Sequence, residues 1–411
     1  LDMADKKPEE AKKRFEGVIA KDPKNVQALL ALAELSAKNG GKPEEVAELI
    51  NKAVAANPAE AAPRLALIGL YLGAKEPKKA LTAAQDALAV LPDRPEILDA
   101  AGRAQQAAGE FNQALATYGK LANLMPNSVQ PHLRMAEIQV AAKNKDAAMQ
   151  SLRKALSIKA DSIEAQRGII MMELDAGRTA EALATARQIQ KQRPKEAVGY
   201  VLEGDIHALK KGWSEAATSY RTGLKLSEST ELAVKLHAAL VAGASASEAD
   251  RFTDSWLKEH AKDLQFRLYL AEAATARKDY VTASKYYRVL MDAQPNNPLL
   301  VNNLAWSLAQ TKDPKAIEYA EKAYKMAPDQ PAIIDTLGVM LLEKGDTARA
   351  LELLKKASSL APQSAAIRFN LAKALVKAGK KDEAKKELDE LTKLGEKFPA
   401  QAEVIKLLQS L

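Results

Sequence analysis

Small and large apolar residues recur along this chain at fixed places in a period of 33 to 35 residues, with polar residues between them. One small-residue series runs Ala33, Ile68, Gly102, Ala136, Ile170, Gly204, Ala238, Ala271, Ala305, Gly338 and Ala372. A second runs Ala11, Ala80, Ala114, Ala148, Ala182, Ala216, Ala283, Ala316, Ala350 and Ala384. Larger residues follow the second series at a constant offset, as at Tyr118, Leu152, Tyr220, Tyr287 and Leu354. The pattern predicts two helices per unit, meeting at the small residues so that their axes approach closely. Alanine serves local structure as well, because it has the highest helix propensity.

Proline punctuates the same period at Pro23, Pro58, Pro92, Pro126, Pro194, Pro295, Pro328 and Pro362, with Ala160, Glu228 and Ala261 at the intervening places. Proline cannot continue the hydrogen-bond ladder, so it ends the second helix of each unit. A fixed period of this length predicts a helical-repeat solenoid, in which each unit buries its apolar face only by stacking on its neighbours. The unit 231–263 is the most irregular, with Asp250 where alanine is expected and Ala261 where proline is. A change in curvature is expected there.

The intervals resemble those of the tetratricopeptide repeat family, over nearly the whole chain. Gly338, Ala350, Leu354, Ala357 and Pro362 carry its pattern in one unit, and Gly102, Ala114, Tyr118, Leu121 and Pro126 in another. The resemblance implies an all-α TPR solenoid, a right-handed superhelix of antiparallel helix pairs. Residues 1–25 read as a partial repeat, the second helix of a truncated unit. Eleven units follow at 26–60, 61–94, 95–128, 129–162, 163–196, 197–230, 231–263, 264–297, 298–330, 331–364 and 365–398, and 399–411 reads as a capping helix. A solenoid that starts on half a unit points to a fragment, with any signal or anchor upstream.

At 411 residues the chain would ordinarily hold several globular domains, but a solenoid lengthens without enlarging its core. It contains no cysteine, which excludes thiolate metal sites and a cysteine nucleophile from these residues. No apolar run reaches the roughly 18 to 20 residues that span a membrane. Net charge is +7 and the isoelectric point is near 9.1. Lysines interleave with acids, as in Lys380, Lys381, Asp382, Glu383, Lys385, Lys386 and Glu387, which reads as solvated helix surface. No basic stripe with interleaved aromatics occurs, so nucleic acid is not an expected partner. The charge admits an anionic exopolysaccharide as a second partner class beside protein.

The four histidines, His132, His207, His237 and His260, fall in four different units and at different repeat positions. The period therefore does not gather them into a catalytic or metal-binding group. Gly40-Gly41-Lys42 is the turn between two helices, and no phosphate loop, G-x-S-x-G or H-E-x-x-H motif occurs. The expectation is a non-enzyme that uses no cofactor and no metal.

In the tetratricopeptide family a concave groove is lined by the first helix of each unit, and an asparagine at the sixth position often holds a ligand's backbone. Here that position carries Asn303 and Asn370, with Thr336 between them and Asp335 just before it; Asn302, Trp306, Phe369 and Lys373 occupy neighbouring groove positions. Amides both donate and accept, which suits an extended peptide, and the aromatic rings add contact area. The alternative is that these asparagines only tie adjacent helices together. Arg103, Arg134 and Arg167 form a weaker basic strip, offset by Asp99, Glu137 and Glu164.

The C-terminal third adds a narrower resemblance. Asn302-Asn303-Leu304-Ala305-Trp306, Asp313-Pro314, Ala316-Ile317-Glu318-Tyr319-Ala320-Glu321-Lys322-Ala323-Tyr324, Ala327-Pro328-Asp329, Ile334-Asp335-Thr336-Leu337-Gly338 and Phe398-Pro399 resemble the repeat lipoproteins of bacterial exosortase (PEP-CTERM) sorting systems. Val339 departs from that pattern, which commonly has tryptophan after the glycine. The resemblance implies a protein of the bacterial cell envelope, periplasmic or outer-membrane-anchored, touching membrane only through a lipid anchor upstream. Its implied role is a scaffold for protein partners in exopolysaccharide or biofilm-matrix assembly and exosortase-linked export. The alternative is a periplasmic subunit of a polysaccharide secretion machine that contacts the polymer.

Overall fold

A computed structural model describes residues 8–411 as helices joined by short turns, with no strand among those residues. Of the sequence-defined partial repeat, residues 1–7 lie outside the described ones. The series opens with α1 (Pro8–Lys21), α2 (Val26–Lys38), α3 (Pro43–Ala56), α4 (Ala61–Gly73), α5 (Pro77–Val90), α6 (Pro95–Ala107) and α7 (Phe111–Leu124). It continues through α8 (Gln130–Ala141), α9 (Lys145–Ile158), α10 (Ile163–Asp175), α11 (Thr179–Gln192), α12 (Val198–Leu209) and α13 (Trp213–Leu226). Then come α14 (Thr230–Ala242), α15 (Ala246–Glu259), α16 (Leu264–Ala276), α17 (Tyr280–Ala293), α18 (Pro298–Gln310) and α19 (Ala316–Met326). The last are α20 (Pro331–Lys344), α21 (Thr347–Leu360), α22 (Ala365–Lys377), α23 (Lys381–Thr392) and, after a short 3-10 turn, α24 (Gln401–Gln409).

Local chemistry sets the helix boundaries. Asn25, Asn144, Ser162, Ser229, Asp263, Asp279, Asn297, Asp346 and Ser364 each sit just before a helix and accept a hydrogen bond from one of its first free N–H groups. Proline takes a first-turn position in α3, α5, α6, α18 and α20, where its missing N–H costs nothing. Second helices stop one residue short of Pro58, Pro92, Pro126, Pro194, Pro295, Pro328 and Pro362.

The helices divide into two compact units, residues 1–227 and 228–411. Within each, first and second helices pack at the small residues. A Cβ on Gly102 would lie 2.5 Å from the Tyr118 ring, on Gly204 2.4 Å from the Tyr220 ring, and on Gly338 2.8 Å from Leu354. These positions hold glycine because the facing side chain already fills the space. In unit 228–411 one cluster runs from Ala271 to Ala384 through Leu304, Ile333, Leu337, Met340 and Leu354, and a second joins Phe369, Leu388, Leu391 and Val404 beneath α24.

The irregular repeat 231–263 opens the second unit and is built differently. Ala249, 2% exposed, takes the buried small-residue place, while Asp250 points to solvent, so the expectation that Asp250 replaces that alanine is corrected. The backbones of α15 and α16 approach less closely than those of the other consecutive helices of unit 228–411. Phe252, Trp256 and Phe266 fill the gap with centroids 6.0–6.1 Å apart, Phe266 meeting the other two edge to face. Asp263 fastens the junction by accepting from the Thr230 hydroxyl (2.9 Å), the Trp256 indole (3.0 Å) and the Phe266 amide (2.9 Å).

Candidate functional site

Helices α18, α20 and α22 lie side by side as the first helices of the last three full repeats. Their buried stripes, Leu300/Leu304/Leu308, Ile333/Leu337/Leu341 and Ile367/Leu371/Leu375, turn into the core. Helical spacing then leaves Asn303, Trp306, Asp335, Val339, Asn370 and Lys373, all partly exposed, on another face. Most of the residues read from sequence as groove candidates therefore share one surface.

They do not share one role. Asn370 Nδ2 donates to both Asp335 oxygens at 3.0 Å, tying α22 to α20. Asp335 itself is pushed up to about 6, chiefly because burial disfavours its charged form; the Asn370 bond and the Lys373 charge oppose that shift. Asn303 is engaged with the Tyr287 hydroxyl, whose pKa burial raises. Thr336 is 8% exposed and its hydroxyl donates to the Ala332 carbonyl at 2.8 Å, the usual resort of a buried threonine in a helix. Phe369 is 6% exposed and meets Phe398 edge-on, with centroids 5.9 Å apart. Its contribution to the surface is indirect, since the Lys373 ammonium rests over its ring at 4.8 Å. Asn302 is 7% exposed, and its Oδ1 has no hydrogen-bond partner.

The basic strip is looser. Arg103 on α6 and Arg134 on α8 both act electrostatically on the buried Tyr118 hydroxyl, so those two are close; Arg167 on α10 is not among the charges felt there. Arg134 donates to Glu137 at 2.9 Å, while Arg103 and Arg167 are exposed. The first helices α8, α10 and α12 expose Val140, Met171 and Leu209, at 51%, 71% and 64%, which the sequence reading did not single out.

Cavities also escaped the sequence reading, two of them described by their lining. One, of about 530 Å³, is lined by Glu228, Thr230, Trp256, His260, Lys262 and Asp263 at the irregular repeat. The other, of about 390 Å³, is apolar and lies among Leu30, Val46, Ile50, Ala66 and Leu70. In the first, His260 Nε2 lies 3.6 Å from a Glu228 carboxylate oxygen. His237 is buried against Tyr269 (2.9 Å) and its pKa falls to about 4, mainly through burial. No group of three or more metal-ligating side chains occurs among the described residues, and no described helix is long and apolar enough to cross a membrane.

Comparison with known proteins finds repeats of one kind in three stretches of the chain. Two tetratricopeptide-repeat family models match residues 105–169 and 341–409, and residues 2–61. They indicate no catalytic family. A TPR repeat-containing protein of Pseudomonas aeruginosa is 30% identical over 132 residues, which is 30% of this chain and 22% of that protein. Anaphase-promoting complex subunit 7 of Arabidopsis thaliana is 27% identical over 40% of this chain and 30% of its own length. This chain thus spans well under half of either curated relative. Among solved structures, yeast Tom70 aligns over 93% of this chain and 94% of its own at 12% identity and a TM-score of 0.40. MamA aligns over 39% of this chain and 92% of its own at 21% identity and a TM-score of 0.34.

Proposed function

We propose, from the premise that this chain carries tetratricopeptide repeats, that it is a non-catalytic scaffold that holds protein partners along the first helices of its C-terminal units. The observation that carries the reading is the shared face of α18, α20 and α22. There Trp306, Asn303, Asp335, Asn370 and Lys373 stand partly exposed on well-packed helices. Polar groups that donate and accept, set beside one aromatic ring, suit a peptide whose backbone needs pairing.

The cellular setting belongs to the same proposal. The scaffold works in the bacterial envelope, in exopolysaccharide or biofilm-matrix assembly and exosortase-linked export, held to membrane by a lipid anchor upstream. Its support is the set of C-terminal strings from Asn302 to Gly338 and at Phe398-Pro399. The second reading, a secretion subunit that touches the polymer, draws on the net charge of +7.

The test compares wild type with an Asn303→Ala/Asn370→Ala double variant for capture of envelope proteins from the source cell. Loss of the captured proteins in the double variant, with helicity unchanged by circular dichroism, is the expected result. Equal capture by both forms would remove this groove from the account.

A further inference from the structure

We infer that Asp335, Asn302 and Trp306 form a receptor for a cationic side chain, a guanidinium or ammonium group carried by a protein partner. The inference rests on the groove reading above and names the chemistry that the groove selects.

Asp335 presents a half-buried carboxylate to the shared face of α18, α20 and α22. An ionised carboxylate accepts at about four sites, and a desolvated one ordinarily faces a cation. This one accepts on both oxygens from a single amide group, Asn370 Nδ2, and makes no ion pair within 4.0 Å among the described residues. Among the described residues the charged group set against it is Lys373, one turn from Asn370 on α22. That ammonium rests over the Phe369 ring and acts on the carboxylate without pairing directly with it.

A second acceptor short of a donor stands one repeat earlier. Asn302 holds on α18 the position that Asp335 holds on α20, and its buried Oδ1 has no partner. In the later pair the donor comes from the sixth position of the next repeat, Asn370. The equivalent donor for Asn302 is Thr336, whose hydroxyl is turned to the Ala332 carbonyl. Two neighbouring helices thus carry groups that the chain matches incompletely, a carboxylate held by one neutral amide and an amide oxygen with no donor. Leaving such groups unmatched costs stability, and sites that carry this cost are characteristically binding sites.

The missing element is a positively charged multiple donor. A guanidinium supplies five N–H donors in a plane and so pairs with a carboxylate and an amide oxygen together. Trp306, one turn beyond Asn302 and partly exposed, offers the aromatic face on which such a cation stacks. An anionic polymer finds the wrong charge here.

The experiment titrates the full chain with an acetylated, amidated pentapeptide bearing a central arginine between alanines and leucines, and with its citrulline counterpart. Citrulline keeps the shape and removes the charge. The arginine peptide is expected to bind roughly ten- to a hundredfold more tightly, the span typical of a hydrogen-bonded charge. Asp335→Asn, nearly isosteric and still able to meet Asn370, erases that difference. Lys373→Met removes the competing cation and tightens the arginine peptide. Asn302→Ala, with the carboxylate intact, weakens it several-fold. Equal binding of the two peptides, no binding of either at millimolar concentration, or an arginine preference that survives Asp335→Asn would each overturn the inference. Envelope proteins captured equally by wild type and Asp335→Asn would also sink it, while leaving the scaffold reading standing.

Discussion

Each turn between the two helices of a repeat passes through a left-handed residue. Glycine fills it at Gly40, Gly109, Gly177, Gly345 and Gly379, but Lys75, Lys143, Lys211, Ala244, Lys278 and Lys312 take it with φ near +60°. A side chain in that region costs about 1–2 kcal/mol, partly offset by the greater freedom glycine has in the unfolded chain. Ala244→Gly should therefore stabilise the irregular repeat by about 0.5–1 kcal/mol, seen as slower amide exchange in α14 and α15; faster exchange would contradict it. This rule was invisible in the sequence because lysine and alanine stand where glycine would have announced the turn. Asp335 gives the second prediction at this scale. Its folded pKa of about 6 lies above the ordinary 3.8, so the folded chain holds the proton longer than the unfolded one. The contribution to stability is fully present below about pH 3.8 and is lost as pH rises through about 6. Asp335→Asn should then stabilise α20 by about 1–3 kcal/mol at pH 7.5 and change little at pH 4. A gain at pH 4 as large as that at pH 7.5 would refute it. His237 runs the other way in the wild-type chain, because its depressed folded pKa makes stability fall from about pH 6.5 toward 4.

Helix pairing was the most legible feature, since small residues opposite large ones recur at constant offsets in most repeats, with Val46, Ile68 and Ile170 as departures. Glycines that look alike in sequence nevertheless separate by what faces them. Gly204 lies under Tyr220, whose ring is 3% exposed and whose hydroxyl donates to Asp205 at 2.7 Å, so the ring has nowhere to move. Gly69 on α4 has nothing within 4 Å of where a Cβ would stand. Gly204→Ala should cost about 1–3 kcal/mol by overpacking, whereas Gly69→Ala should gain about 0.5–1 kcal/mol from helix propensity alone. Thermal melting of the two variants checks this, and shifts of the same sign would contradict it. The junction of α15 and α16 was not legible, because it replaces the small-residue rule with Phe252, Trp256 and Phe266 and with the Asp263 hydrogen bonds, contacts that no period reveals. The candidate surface was legible only as a set of positions. Which member is buried in the core (Phe369), satisfied by its own helix (Thr336) or left without a donor (Asn302) depends on neighbours a repeat or more away.

Across the whole molecule the excess of positive charge was legible, but its distribution was not. Lys38, Lys79, Lys120, Lys355 and Lys356 are each held by a nearby carboxylate, and such exposed pairs contribute little to stability while dispersing the charge. A dispersed charge attracts a polyanion through a salt-screened field, whereas a groove with a buried carboxylate and an aromatic ring recognises a partner by contact. The two readings of the chain therefore separate under salt. The measurement that bears most directly on the scaffold account applies the same capture to envelope proteins and to the source cell's exopolysaccharide, at low and at high salt, with wild type and the Asn303→Ala/Asn370→Ala variant. The account predicts protein capture that persists at high salt and is lost in the double variant; polymer binding that fades with salt and ignores both asparagines, with no groove-dependent protein capture, would contradict it.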